Sequence, residues 1–221
     1  LRYRDAVYDA SQQGANDGEA GYPGGGLASS LASVARLIKG GLPSKMYAVS
    51  IGGFDTHSNQ LDRQPGLLRQ IAESVRAFYA DLAGEGDRVL TMTFSEFGRT
   101  IGQNGAAGTD HAEASPLLLF GGGVGGGLYG DGPATVLDAL PDSASALPMS
   151  VDFRSVYASV LTDWFGLEAS DTSSVLGGGF APLAGLVAAP MAVDAGPGPD
   201  DSLRLGVSPN PVAGTARVSV T

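Results

Sequence analysis

Along the chain, stretches with apolar residues at helical spacing alternate with short runs of consecutive apolar residues. In 27–39, Leu27, Leu31, Val34 and Leu37 fall on one helical face, and Gly40-Gly41 supplies a stop. In 67–82, Leu67, Ile71, Val75, Phe78 and Leu82 recur every three or four residues, which predicts a stronger helix. A late helix is predicted over 153–165, carrying Val156, Val160, Leu161 and Trp164. Between these lie three strand candidates: 45–51, 89–94 and 117–120. Short strands separated by amphipathic helices read as α/β with a largely parallel sheet flanked by helices.

That alternation fixes where the polar motifs fall. Asp55-Thr56-His57 follows the first strand candidate, and Ser95-Glu96-Phe97-Gly98-Arg99 follows the second. In parallel α/β sheets, loops beyond the carboxyl ends of the strands gather into one ligand crevice. The loop holding Asp110-His111, just before the third candidate, is expected to reach the same rim.

Composition narrows the chemistry. The 221 residues are 43% hydrophobic, enough for one sizeable core with residues left for a tail. With 34 glycines and 16% charged residues, the chain is expected to be rich in loops. A net charge of −10 argues against nucleic acid or an anionic membrane as a partner. An anionic substrate would then depend on a metal or on local arginines. The absence of cysteine excludes disulfides and thiolate ligands. No run approaches the roughly eighteen apolar residues of a membrane span, so membrane insertion is not expected. The opening Leu1-Arg2-Tyr3-Arg4 reads as the start of a piece of a longer protein.

The chain has two histidines, and each sits beside an aspartate on a glycine-flanked loop. Imidazole with carboxylate suits a divalent metal, with zinc or manganese ahead of calcium or magnesium. Asp55 and His57, two residues apart on an extended loop, would project the same way and grip one ion. Asp110 and His111 would supply a second pair. The structural alternative is a turn aspartate beside a solvent-facing histidine. Glu96 is a candidate ligand or general base, and Arg99 a forked anion clamp; together they also suit an ion pair closing the loop. Asn104 and Thr109 are possible polar accessories. The glycine run 121–127 lacks the Gly-Lys-Ser/Thr ending of a nucleotide loop and reads as a flexible connection. No Gly-x-Ser-x-Gly nucleophile elbow is present.

Toward the end the character changes. Residues 188–202, with Pro190, Pro197 and Pro199, read as a linker. Residues 203–221 then open a second, small β segment in which 216–221 alternates as a half-exposed strand after Pro209-Asn210-Pro211. The main domain is accordingly placed at 1–187.

Gly-Gly-Phe-Asp-Thr-His, Ser-Glu-Phe-Gly-Arg-Thr and Gly-Thr-Asp-His, in that order, resemble the bacterial family catalogued as domain of unknown function 1501. The resemblance runs from Gly26 to Leu186. It implies an alkaline phosphatase-like and sulfatase-like α/β fold, with divalent metal held by Asp and His at strand ends. Asp55 with His57, and Asp110 with His111, then look like ligand pairs, with Glu96 as another position for a ligand. The resemblance also implies that the nucleophile and a further ligand lie upstream of this chain. Leu205 to Val220 resembles the start of the C-terminal sorting domain of the type IX secretion system, which implies export by that machinery to the cell surface or beyond. The combined expectation is a secreted, metal-dependent hydrolase of small anionic phosphate or sulfate esters. The alternative is a non-catalytic surface protein that keeps the fold for binding or adhesion.

Overall fold

In the computed structural model, residues 2–130 and 146–189 are described, together with the strand backbones 205–209 and 216–220. Three helices open the chain: α1 (Arg2–Gln13), α2 (Gly26–Lys39) and α3 (Gln60–Leu82). A 3-10 segment, Ala83–Arg88, leads into β1 (Leu90–Met92), followed by β2 (Gly98–Arg99), β3 (His111–Ala112) and β4 (Leu119–Gly121). After residue 145 come α4 (Phe153–Ser159), a π-helical turn Val160–Trp164, and α5 (Ala169–Leu176). Strands β5 (Leu205–Pro209) and β6 (Ala216–Val220) end the described residues.

Helices α2 and α3 form because their apolar positions recur at the helical period, and those positions pack against each other. Leu27, Leu31, Ala35 and Ile38 meet Val75, Phe78 and Leu82 in one buried cluster. A buried aspartate ties this pair to the segment before it. Asp81 accepts from Asn16 Nδ2 and the Asp17 amide, both at 2.6 Å, from Tyr22 at 3.0 Å, and from Lys39 Nζ. Four donors satisfy a carboxylate that would otherwise be costly to bury.

The strand candidates at 89–94 and 117–120 pair with each other as β1 and β4, antiparallel, with Thr91 opposite Phe120. Val89 and Phe120 pack on the α2–α3 cluster, while Leu90, Met92 and Leu119 pack on a second cluster built on Val156, Leu186 and Val187. The Tyr79 hydroxyl stitches the ribbon to α3 through Thr91 Oγ1 and the Phe120 carbonyl, each at 2.9 Å.

The local structure departs from one predicted strand. Residues 45–51 form no strand, because no strand among the described residues offers their backbone a ladder. Tyr47 and Ile51 pack on the core while Met46 and Val49 stay exposed. The glycine run is tied at two positions, with Gly125 N–H donating to the Leu186 carbonyl (3.0 Å) and Ala188 N–H to the Gly123 carbonyl (2.8 Å). Helix α1 was not anticipated. The described strand pairs, β1–β4, β2–β3 and β5–β6, are all antiparallel.

The strand expected over 216–221 is present as β6, paired with β5 from Leu205 opposite Val220 to Pro209 opposite Ala216. From residue 190 the expected linker lies outside the described residues, as does most of the Pro-Asn-Pro turn. No described helix is long and apolar enough to cross a membrane.

Candidate metal centre

Three loops meet at one place. The first, 52–58, leads into α3; the second is β2; the third, 104–110, leads into β3. β2 and β3 pair with Arg99 opposite His111, and Ser58 bridges Ala107. Thr109 N–H donates to the Thr56 carbonyl at 3.2 Å, and Gln60 N–H to Ala107 at 2.9 Å. The approach is close enough to require glycine: a methyl at Gly108 would overlap the His57 carbonyl, and one at Gly98 would overlap that of Ala114.

This backbone brings together ligand atoms that are far apart in sequence. Asp55 Oδ1 lies 3.0 Å from His57 Nε2 and 2.8 Å from His111 Nε2, and the two Nε2 atoms are 3.1 Å apart. All three side chains are about half exposed, so the triangle opens to solvent. Asp110 stands on the other side of His57, its Oδ1 3.1 Å from Nδ1. Glu96 is exposed and makes no hydrogen bond or ion pair among the described residues.

Arg99 spends a donor from each of its nitrogens within the protein. Nη1 reaches Asp55 Oδ1 at 2.8 Å, Nε reaches Thr109 Oγ1 at 3.0 Å, and Nη2 donates to the Thr109 carbonyl. The Thr109 hydroxyl donates to Gln60 Oε1 at 2.8 Å, joining the site to the first turn of α3. The Arg99 side chain is only 16% exposed, and its contacts brace the loops that carry Asp55 and Thr109. Phe97 stacks on His111 with centroids 3.7 Å apart and planes 12° from parallel.

The electrostatics follow from these contacts. Hydrogen bonding by His111 and then by Arg99 holds the Asp55 carboxyl below the usual carboxylate range. Asn104 and then His57 do the same for Asp110. Both groups are therefore carboxylates at neutral pH. Asn104, a possible polar accessory by sequence, makes six hydrogen bonds here, one of them from the Ala107 amide to its carbonyl. Its Nδ2 donates to the His57 carbonyl and to Asp110 Oδ1, both at 3.1 Å. Its Oδ1 accepts from the Ala106 and Gly108 amides, and its own amide reaches the Gly108 carbonyl.

Sequence reasoning passed over Gln60 and Phe97. Gln60 carried a signal in its place at the start of the helix that follows Asp-x-His; Phe97 lay between the two residues that were chosen. A cleft lined by Asp87, Gly122, Gly123, Ala188 and Ala189 contains none of the cluster residues.

No curated protein and no solved structure matches the chain. The profile of the family described as "Protein of unknown function (DUF1501)" matches residues 10–176, a span that holds every residue of the cluster and its braces. The chain belongs to the DUF1501 family.

Proposed function

We propose that Asp55, His57 and His111 hold a divalent metal, and that the protein is an exported metal-dependent hydrolase of phosphate or sulfate esters. The observation that carries this reading is the triangle of ligand atoms, with sides of 2.8, 3.0 and 3.1 Å. Ligands about 2.1 Å from one ion stand about 3.0 Å apart when at right angles and about 3.4 Å apart at tetrahedral angles. The triangle therefore fits one face of a metal's coordination sphere with little rearrangement. Two imidazole nitrogens and one carboxylate favour zinc or manganese over calcium or magnesium, which prefer all-oxygen shells.

An ion held on three protein ligands keeps positions open on the solvent side. There it would offset the charge of an anionic ester and polarise its oxygen. Arg99 keeps Asp55 in place and has two further N–H groups to offer the ester. Glu96, on the same loop but exposed, is the nearest candidate in sequence for a base. An alkaline phosphatase-like parallel sheet, with the nucleophile upstream, belongs to this proposal. So does the division into a main domain at 1–187, a linker at 188–202 and a sorting segment from 203 that engages type IX secretion machinery. Nucleic acid and membrane insertion have no place in it.

The test is turnover of p-nitrophenyl phosphate and p-nitrophenyl sulfate by the full-length protein, with zinc or manganese and after chelation. The reading expects metal-dependent release of nitrophenol from one of the two, lost in His57→Ala. Stoichiometric metal binding without turnover of either ester would move the assignment to a surface binding protein with a structural metal.

A further inference from the structure

We infer that Asp110 is a positioning residue for His57 and not a metal ligand: it accepts a hydrogen bond from Nδ1–H and so turns a bare Nε2 toward Asp55 and His111. The purpose of this arrangement rests on the metal reading above, but its geometry does not. The two nitrogens of an imidazole point out of different edges of the ring. Asp110 Oδ1 lies 3.1 Å from Nδ1, whereas the cluster is built on Nε2. An atom bonded at one edge does not share an ion bound at the other.

The proton assignment follows from donor and acceptor chemistry. A carboxylate oxygen only accepts, so in the contact with Asp110 the proton belongs to Nδ1. In a neutral ring the other nitrogen is then a lone pair. That lone pair faces the Asp55 oxygen at 3.0 Å, two acceptors with no proton between them. A cation relieves that contact. A ligand histidine whose second nitrogen donates to a carboxylate is a recurrent way of fixing the tautomer and raising ligand basicity.

Asp110 is itself held. Its Oδ1 accepts from Asn104 Nδ2 at 3.1 Å, and its amide donates to Thr100 Oγ1 at 3.0 Å. The Asn104 amide is oriented in turn by the Ala106 and Gly108 N–H groups on its Oδ1, at 2.9 and 3.1 Å. A chain of contacts thus runs from the 104–108 loop backbone through Asn104 and Asp110 to His57. His111 is fixed by different means, its ring lying flat on Phe97.

The experiment compares wild type, Asp110→Ala and Asp110→Asn in protein carrying 15N-labelled histidine, metal-free, at a pH where imidazole is neutral. Asp110 is exposed, so these variants are expected to fold, which circular dichroism checks. Long-range proton–nitrogen spectra should show His57 protonated on Nδ1 in wild type and in Asp110→Asn, whose amide oxygen still accepts. In Asp110→Ala the ring should move toward the Nε2–H form that a free histidine side chain prefers. Zinc affinity should fall about 10- to 100-fold in Asp110→Ala and stay within about threefold in Asp110→Asn. The visible spectrum of the cobalt-loaded site should be the same in all three, because the ligand set is the same. An Nε2–H tautomer in wild type, or a tautomer indifferent to Asp110→Ala, overturns the inference. So does a cobalt spectrum showing a lost ligand in both variants. A wild type that takes no metal defeats the metal reading, and the tautomer comparison still decides the role of Asp110.

Discussion

His57 and His111 face each other Nε2 to Nε2 at 3.1 Å across a sequence separation of 54 residues. The contact depends on loops meeting at Gly108, and the backbone there sets the spacing of the ligand atoms.

Gly108→Ala should separate the loops that carry His57 and His111. A methyl would strike the His57 carbonyl and the Ser58 amide, which are backbone atoms and cannot swing away. Zinc titration should show a loss of affinity comparable to that of His57→Ala, with the helical circular dichroism retained. Unchanged affinity would mean that the loop spacing is not set here.

Arg99→Ala removes the bonds to Asp55 Oδ1, Thr109 Oγ1 and the Thr109 carbonyl together. Because Arg99 orients Asp55 through Nη1, its loss should weaken metal binding about tenfold without abolishing it. Lysine keeps the charge but not the fork, so Arg99→Lys should recover only part of the loss. Isothermal titration with zinc distinguishes the three proteins. Full recovery by lysine would show that charge alone matters.

Asp81→Ala should destabilise the protein by about 3 kcal/mol in urea unfolding, since it leaves Lys39 and three other donors facing a hole. The pH dependence has a definite sign. Burial pushes the Asp81 carboxyl up, but the Asp17 amide, Lys39, Asn16 and Tyr22 together outweigh it, and the net shift is below the ordinary value of 3.8. The stability it contributes is therefore complete above pH 3.8 and disappears as pH falls through the lower, folded-state value. Melting temperatures followed downward from neutral pH should fall more steeply in wild type than in Asp81→Ala across that window. Parallel slopes would show that the carboxylate is not ionised in the core.

The helices that were legible in the sequence are those whose stability comes from a buried apolar stripe. α2 and α3 announce themselves because Leu27, Leu31, Val75, Phe78 and Leu82 all enter one cluster. α1 and α5 do not, since Ala10 is the buried apolar residue of the first and Thr172 the buried residue of the second. The strand expected at 45–51 had the right residue types, but a strand also needs a neighbour, and pairing is not written in local composition. The cluster of Asp55, His57 and His111 was visible because histidine is so scarce here that each one stood out. What the sequence could not convey was which nitrogen of His57 each aspartate would meet. That depends on the 3.1 Å contact with Asp110 and on a loop held by Asn104.

The most direct measurement is the stoichiometry of zinc or manganese binding to the wild-type protein and to His57→Ala, His111→Ala and the double variant, by titration with a competing chromophoric chelator. The account predicts an ion bound stoichiometrically by wild type. Each single variant should lose about 100-fold or more in affinity, as expected for removing one of three protein ligands, and the double variant should show no binding at this site. A double variant that binds zinc and manganese as wild type does, or a wild type that binds neither, would contradict it.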